Sequence, residues 1–185
     1  MKIAIISDVH DNLVNLNKCL AWGDKEKIKN LICCGDITNS ETLETLSSKF
    51  KNKIYLVRGN LEIYDEEEVC PMKLLRTDRV GFHGVNQYKN IKYLGRFGRF
   101  ELDNKIIGVC HEPAFINKVL EAGECDIIFY GHTHRPWIER SLAPYRELSS
   151  LIVNPGTLGG VFQKATFAVY DTDKKEPELK ILESL

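Results

Sequence analysis

An α/β fold built on a pair of central sheets, with helices packed outside, is what this 185-residue sequence predicts. Three observations lead there. Strand-like and helix-like segments alternate through the first two-thirds of the chain. The opening strand segments are short apolar runs, as strands buried on both faces are. The second half then turns strand-rich.

Residues 2–7 form the first such run. Asn12 can cap a helix whose apolar positions Leu13, Leu16, Leu20 and Ile28 keep roughly helical spacing. Residues 30–34 are the next strand, and Ser40 then caps a helix carrying Leu43, Leu46 and Phe50. Residues 53–57 make a third strand, completing a βαβαβ opening. Residues 62–68 read as an acidic, solvated surface run. The stretch 80–104 carries four glycines and five aromatic residues without helical periodicity, and it could cover a site or simply fill sheet surface. It ends at 100–102, where Asp103-Asn104 and then residues 105–110 complete a hairpin. A helix around 114–122 and a strand at 126–130 follow, with further strands near 136–142, 148–153, 165–171 and 178–183. No repeat or linker interrupts the pattern, so residues 1–185 are expected to form a single domain.

Bulk properties narrow the function. A hydrophobic share of 43% and a charged share of 28% exclude a disordered chain. A net charge of -1 gives no global field toward nucleic acid or an anionic membrane. The first apolar run is far shorter than the ~20 residues of a membrane span, and no signal-peptide cleavage pattern follows it. None of Cys19, Cys33, Cys34, Cys70, Cys110 and Cys125 forms a C-x-x-C pair, and four of these six sit in apolar runs. Buried reduced thiols and a cytoplasmic location are therefore expected.

The residues that carry chemistry fall at strand ends. The first strand runs into Asp8-Val9-His10, the second into Gly35-Asp36, and the third into Arg58-Gly59-Asn60. Residues 105–110 end in His111, and 126–130 in Gly131-His132-Thr133-His134. In open α/β sheets the carboxyl ends of strands are where ligands bind. Asp8 and His10, two apart, would point the same way in extended chain, as would His132 and His134. Gly35, Gly59 and Gly131 let the backbone turn sharply. Each motif has an ordinary alternative: Asp36 as a cap, Asn60 as a turn residue, His111 as a satisfied histidine. Their joint placement favours a site. His83, the fifth histidine, has no such placement and reads as a structural or surface residue.

Imidazole and carboxylate ligands without thiolate suit manganese, iron, nickel, cobalt or zinc. Seven ligands exceed one tetrahedral ion but fit two ions sharing Asp36. Ions ~3.5–4 Å apart can generate a hydroxide near neutral pH and clamp a phosphoryl group during in-line displacement. Arg58 could hold a phosphate by a charged fork or lie solvated.

Asp8-x-His10, Gly35-Asp36, Gly59-Asn60, His111 and Gly131-His132-x-His134 together resemble the calcineurin-like metallophosphoesterase superfamily. Asn154-Pro155-Gly156-Thr157 resembles its small prokaryotic phosphodiesterase branch, the YfcE-like family. The resemblance implies a four-layer α/β-β/α sandwich with two mixed central sheets flanked by helices. It implies two divalent ions, manganese foremost, with Asp8, His10 and His134 on one, Asn60, His111 and His132 on the other, and Asp36 bridging. Asn60 would also touch the substrate, expected to be a small phosphate diester, and a homodimer is suggested by analogy.

Two departures stand out. Leu61 occupies the position where many members carry a leaving-group acid, and leucine cannot donate a proton. Glu62 or water would have to serve. His111-Glu112-Pro113 also stands where the small branch shows His-Gly. The competing expectations are a nuclease, disfavoured by the near-neutral charge, and a catalytically weak scaffold of the same fold.

Overall fold

The structure, a computed structural model, describes residues 1–69, 88–140 and 150–185. Cys70, His83 and residues 80–87 of the aromatic stretch lie outside the described residues, as do 141–142 and 148–149 of two expected strands.

The βαβαβ opening forms as expected: β1 (Lys2–Ile6), α1 (Leu13–Lys25), β2 (Asn30–Cys33), α2 (Ser40–Lys49) and β3 (Lys53–Leu56). Asn12 caps α1, its side chain accepting from the Asn15 N–H at 3.1 Å. Ile28 lies beyond the end of α1 but packs into the same core. Asn39, not Ser40, caps α2: its backbone is extended and its side chain accepts from the Thr42 N–H at 2.9 Å. The Ser40 hydroxyl instead donates to Glu68.

β4 (Ile91–Tyr93) and β5 (Phe97–Leu102) follow, and β5 turns into β6 (Lys105–Cys110). Asp103 and Asn104 have φ of 53° and 55°, the left-handed pair that a tight hairpin turn needs. Leu102 faces Lys105 across it. The expected helix at 114–122 is a 3₁₀ turn, Pro113–Phe115, running into α3 (Ile116–Glu121). β7 (Ile127–Phe129), β8 (Trp137–Arg140), β9 (Leu151–Asn154), β10 (Thr166–Asp171) and β11 (Glu176–Ile181) complete the order.

Two mixed sheets result, in orders β11-β10-β1-β2-β3-β4 and β5-β6-β7-β9-β8. Strand alternation sorts the apolar side chains into layers. From β1 and β2, Ile3, Ile5 and Ile32 meet Ile107, Val109, Ile127 and Phe129 of the second sheet. Ala4, Ile6 and Leu31 point the other way, onto Leu16 and Leu20 of α1 and Leu43 and Leu46 of α2. Ile128 and Ile152 face Val119 of α3. The layers therefore run helix, sheet, sheet, helix, as the resemblance implied. Each fully buried branched side chain contributes about 1.5–3 kcal/mol. Truncating the fully buried Phe129 to alanine between the sheets would cost about 3–5 kcal/mol.

Among the described residues no helix is long and apolar enough to cross a membrane. The five described cysteines are buried, as expected of them.

Candidate metal centre

The parallel strands β1, β2 and β3 of one sheet and β6 and β7 of the other end at the same edge of the sandwich. All seven side chains singled out in the sequence meet there. His10 Nε2 lies 3.1 Å from His134 Nε2, and Asp8 Oδ1 lies 3.2 Å from His134 Nε2 and 3.8 Å from His10 Nε2. Asn60 Oδ1 lies 2.9 Å from His111 Nε2 and 2.8 Å from His132 Nδ1. Asp36 Oδ2 stands between these trios, 3.3 Å from His111 Nε2 and 4.0 Å from His10 Nε2. Asp8 reaches toward both, since Asp8, Asp36 and His111 also form a group with ligand atoms within 4.8 Å of one another.

The backbone reaches this arrangement by a route other than the expected one. Asp8 and His10 do not lie in extended chain: their φ values are 53° and 46°, and Asp36, His132 and His134 also stand at 54°, 69° and 58°. Five of the seven side chains thus sit on left-handed backbone, at about 1–3 kcal/mol each. The turns aim successive side chains inward and free the His132 N–H to donate to the Asp8 carboxylate at 3.0 Å. That bond ties the two sheets together. The glycines are needed for close approach. A Cβ on Gly59 would stand 2.0 Å from Asp36 Oδ1, and one on Gly131 would stand 1.9 Å from Ser7 Oγ.

Burial pushes the Asp8 carboxyl up, against the pull of His111. Burial also pulls Asp36 upward, but the hydrogen bond and charge of His111, with the Leu61 N–H at 2.9 Å, hold it below the ordinary carboxylate range. His111 is pulled down by burial and carried above its usual value by Asp36.

The donor atoms suit cations. His111 Nδ1 faces the Cys34 carbonyl at 2.7 Å, so it must donate there. In the neutral ring Nε2 is then a lone pair, aimed at the acceptors Asn60 Oδ1 and Asp36 Oδ2. His134 repeats the pattern, with Nδ1 facing the Val161 carbonyl at 3.2 Å and Nε2 turned to Asp8 and His10. Where the rings are neutral, lone pairs converge on lone pairs, an arrangement that a cation between them relieves, and outer carbonyls that fix the ring tautomer are typical of metal-ligating histidines.

Several supporting residues were not legible as such. Glu62 does not belong to a solvated run. It is buried, its Oε1 accepting from the Ile37 and Gly59 N–H groups at 3.2 Å each and its Oε2 from Thr38 at 2.7 Å. It clamps the segment after Asp36 to the one before Asn60, and both oxygens are engaged, so it is no free acid for a leaving group. The one sequence signal was its place two residues after Asn60. Tyr64 is buried beside it, whereas Ile63 is exposed. Arg58 is neither solvated nor a free fork. Its guanidinium donates to the Glu62 carbonyl at 3.3 Å and lies over the Tyr64 ring. Asn154 donates to the Gly131 carbonyl at 2.9 Å and to Thr133, and the Thr157 hydroxyl donates to the Asp8 carbonyl at 3.0 Å. The Asn-Pro-Gly-Thr segment is therefore a brace behind two of the strand-end loops.

The sequence profile of the calcineurin-like phosphoesterase superfamily domain matches residues 1–175. The chain belongs to this superfamily. Membership places it among the metal-dependent phosphoric ester hydrolases. It is similar to the phosphodiesterase MJ0936 of Methanocaldococcus jannaschii, 28% identical over 186 residues that cover 99% of this chain and 100% of that protein. Among solved structures, a novel archaeal phosphodiesterase superposes with a TM-score of 0.76 at 24% identity, covering 98% of this chain and 99% of that one. The phosphoesterase YfcE of E. coli superposes at 0.66 with 19% identity, covering 98% and 100%. At those identities the two superpositions speak for the fold alone.

Proposed function

We propose that the chain hydrolyses small phosphate diesters with two divalent ions, manganese foremost, as one domain over residues 1–185. Asp8, His10 and His134 would hold one ion and Asn60, His111 and His132 the other, with Asp36 between them. The observation that carries this reading is the convergence of seven side chains from five strand ends, with the His111 and His134 lone pairs aimed at acceptors. The phosphodiesterase named among the relatives supports the choice of diesters.

When bound, two such ions supply Lewis acidity and a water acidic enough to attack as hydroxide near neutral pH. The chain's own residues set the rest. Cys34 and Val161 carbonyls hold the tautomers of His111 and His134. Asn60, with Oδ1 facing two histidines, has its Nδ2 group to donate to a phosphate oxygen. Leu61 gives its N–H to Asp36 and has no side-chain proton to give, and Glu62 is engaged with backbone, so a leaving group takes its proton from water. A positioned general acid contributes about 10²–10⁴-fold. Aryl diesters should therefore outpace alkyl diesters by at least about a hundredfold, and equal efficiency on both would refute that account.

The deciding experiment is metal analysis after manganese loading, combined with hydrolysis of a bis(nitrophenyl) diester. About two ions per chain with turnover are expected. Fewer than one ion and no turnover would instead favour a scaffold of the same fold. Asp36→Asn should lose metal and rate together; full retention of both would overturn the two-ion assignment.

A further inference from the structure

We infer that Phe162 is a specificity residue, an open platform on which a planar aromatic ester group of the substrate stacks beside His134. The inference rests on the phosphodiesterase reading above and adds to it the class of substituent the site selects.

Phe162 is 91% exposed, and a single exposed apolar side chain would by itself mean little. Its backbone is the first distinguishing feature. Phe162 stands at φ 62°, a left-handed conformation that costs a bulky residue about 1–2 kcal/mol. Gly160, at φ 75°, sits two residues away in the same segment and could supply a turn without that strain. Core packing therefore does not account for a strained phenylalanine held out in water.

Its position is the second. The ring lies over the ring of His134, with centroids 6.2 Å apart and planes inclined by 26°. Its partner in that contact is a side chain of the centre itself, and the exposure leaves the rest of the ring free. The third feature is how firmly the segment is tied down. The Gly159 N–H donates to the Asp8 carbonyl at 2.9 Å, and Asn12 donates to the Gly159 carbonyl at 2.9 Å. Asn15 donates to the Leu158 carbonyl at 2.9 Å, and the Val161 carbonyl receives His134. The backbone leading into Phe162 is thus tied to Asp8 and His134.

On the Asn60 side of the centre, Leu61 is 52% exposed. Among the described residues, exposed apolar side chains stand next to the polar centre at Phe162 on the His134 side and at Leu61 on the Asn60 side. A diester phosphate held at the centre directs its two substituents apart. With the leaving group on the Leu61 side, where the missing acid would stand, the retained substituent faces Phe162; a flat one meets a complementary face there, whereas an alkyl group does not, and an aromatic pair is worth enough to matter for selection.

The test compares phenyl p-nitrophenyl phosphate with methyl p-nitrophenyl phosphate on the manganese-loaded protein. The leaving group is the same in both, so the missing acid at Leu61 affects them alike. The unmodified protein should prefer the phenyl ester through KM. Phe162→Ala should shrink that KM preference by about three- to tenfold with little change in the ratio of kcat values, and Phe162→Tyr should restore it. Binding of the inert anion diphenylphosphinate, followed by calorimetry against dimethylphosphinate, should weaken in step, while manganese content stays that of the parent. An unchanged phenyl-to-methyl preference in Phe162→Ala would overturn the inference. So would a loss of manganese, since the residue would then act through His134. If the parent cleaves neither ester yet Phe162→Ala still weakens diphenylphosphinate, the phosphodiesterase reading fails and the platform stands.

Discussion

Replacing Glu62 with glutamine should loosen the metal centre from behind. The glutamate accepts three backbone N–H groups through two oxygens, two at Oε1 and one at Oε2. A glutamine has one acceptor oxygen. If it stays at Oε1, the Thr38 N–H faces an amide NH₂; if the amide flips, Ile37 and Gly59 lose their partner. At least one buried donor is left unsatisfied, at about 1–3 kcal/mol, and the bonds that remain lose the strength a charged acceptor gives them. Against this, burial pushes the Glu62 carboxyl up despite those three donors, so removing the charge recovers part of the loss. The net expectation is about 2 kcal/mol, read as a lower urea midpoint for the metal-free protein. Because Ile37 and Thr38 follow Asp36 and Gly59 precedes Asn60, manganese should also bind at least about tenfold more weakly, a change of about 1.4 kcal/mol. Stability within about 0.5 kcal/mol of the parent, as ordinary surface changes give, with unaltered manganese affinity, would refute the clamp.

Other expectations follow from close approach and burial. Gly59→Ala should cost about 3 kcal/mol and most of the metal affinity, because its Cβ would meet Asp36 Oδ1 and the Asp36 backbone N at 2.0 and 2.3 Å. Gly95→Ala is the comparison: its φ is 74° but nothing lies within 4 Å of the added carbon, so only about 1 kcal/mol of strain should appear on denaturation. Burial pushes the Cys19 and Cys110 thiols up to about 12, and Cys33 and Cys34 well above their usual value. The reactive thiolate is thus absent at neutral pH, and iodoacetamide with site-resolved mass spectrometry should leave these four unmodified until the chain is unfolded in urea. Labelling of any of them in the folded protein would contradict that burial.

The sequence was a good guide wherever side-chain type alone sets the outcome. Strands β1, β2 and β3 announce themselves as branched apolar runs, and Asp103-Asn104 announces a tight hairpin. The seven polar residues after strand ends could be placed together because parallel strands share one carboxyl edge. What escaped is the part built by main chain. No residue type signals that Val161 and Cys34 offer their carbonyls to histidines, or that Asp8 and His10 turn left-handed. Residues 62–65 also alternate against their polarity, with Glu62 and Tyr64 buried and Ile63 and Asp65 outside. A reading by composition makes that segment solvated, because two of the three amides that repay burial of Glu62, those of Ile37 and Thr38, follow another strand.

The bond from the His132 N–H to the Asp8 carboxylate spans 124 residues of sequence and joins the two sheets. Loop closure over such a distance is late and slow in folding. Metal can then find its ligands only after both sheets have docked, so manganese present during refolding should leave the folding rate nearly unchanged and act almost wholly by slowing unfolding. In the cell the ion would guard a finished molecule; it would not help to build one.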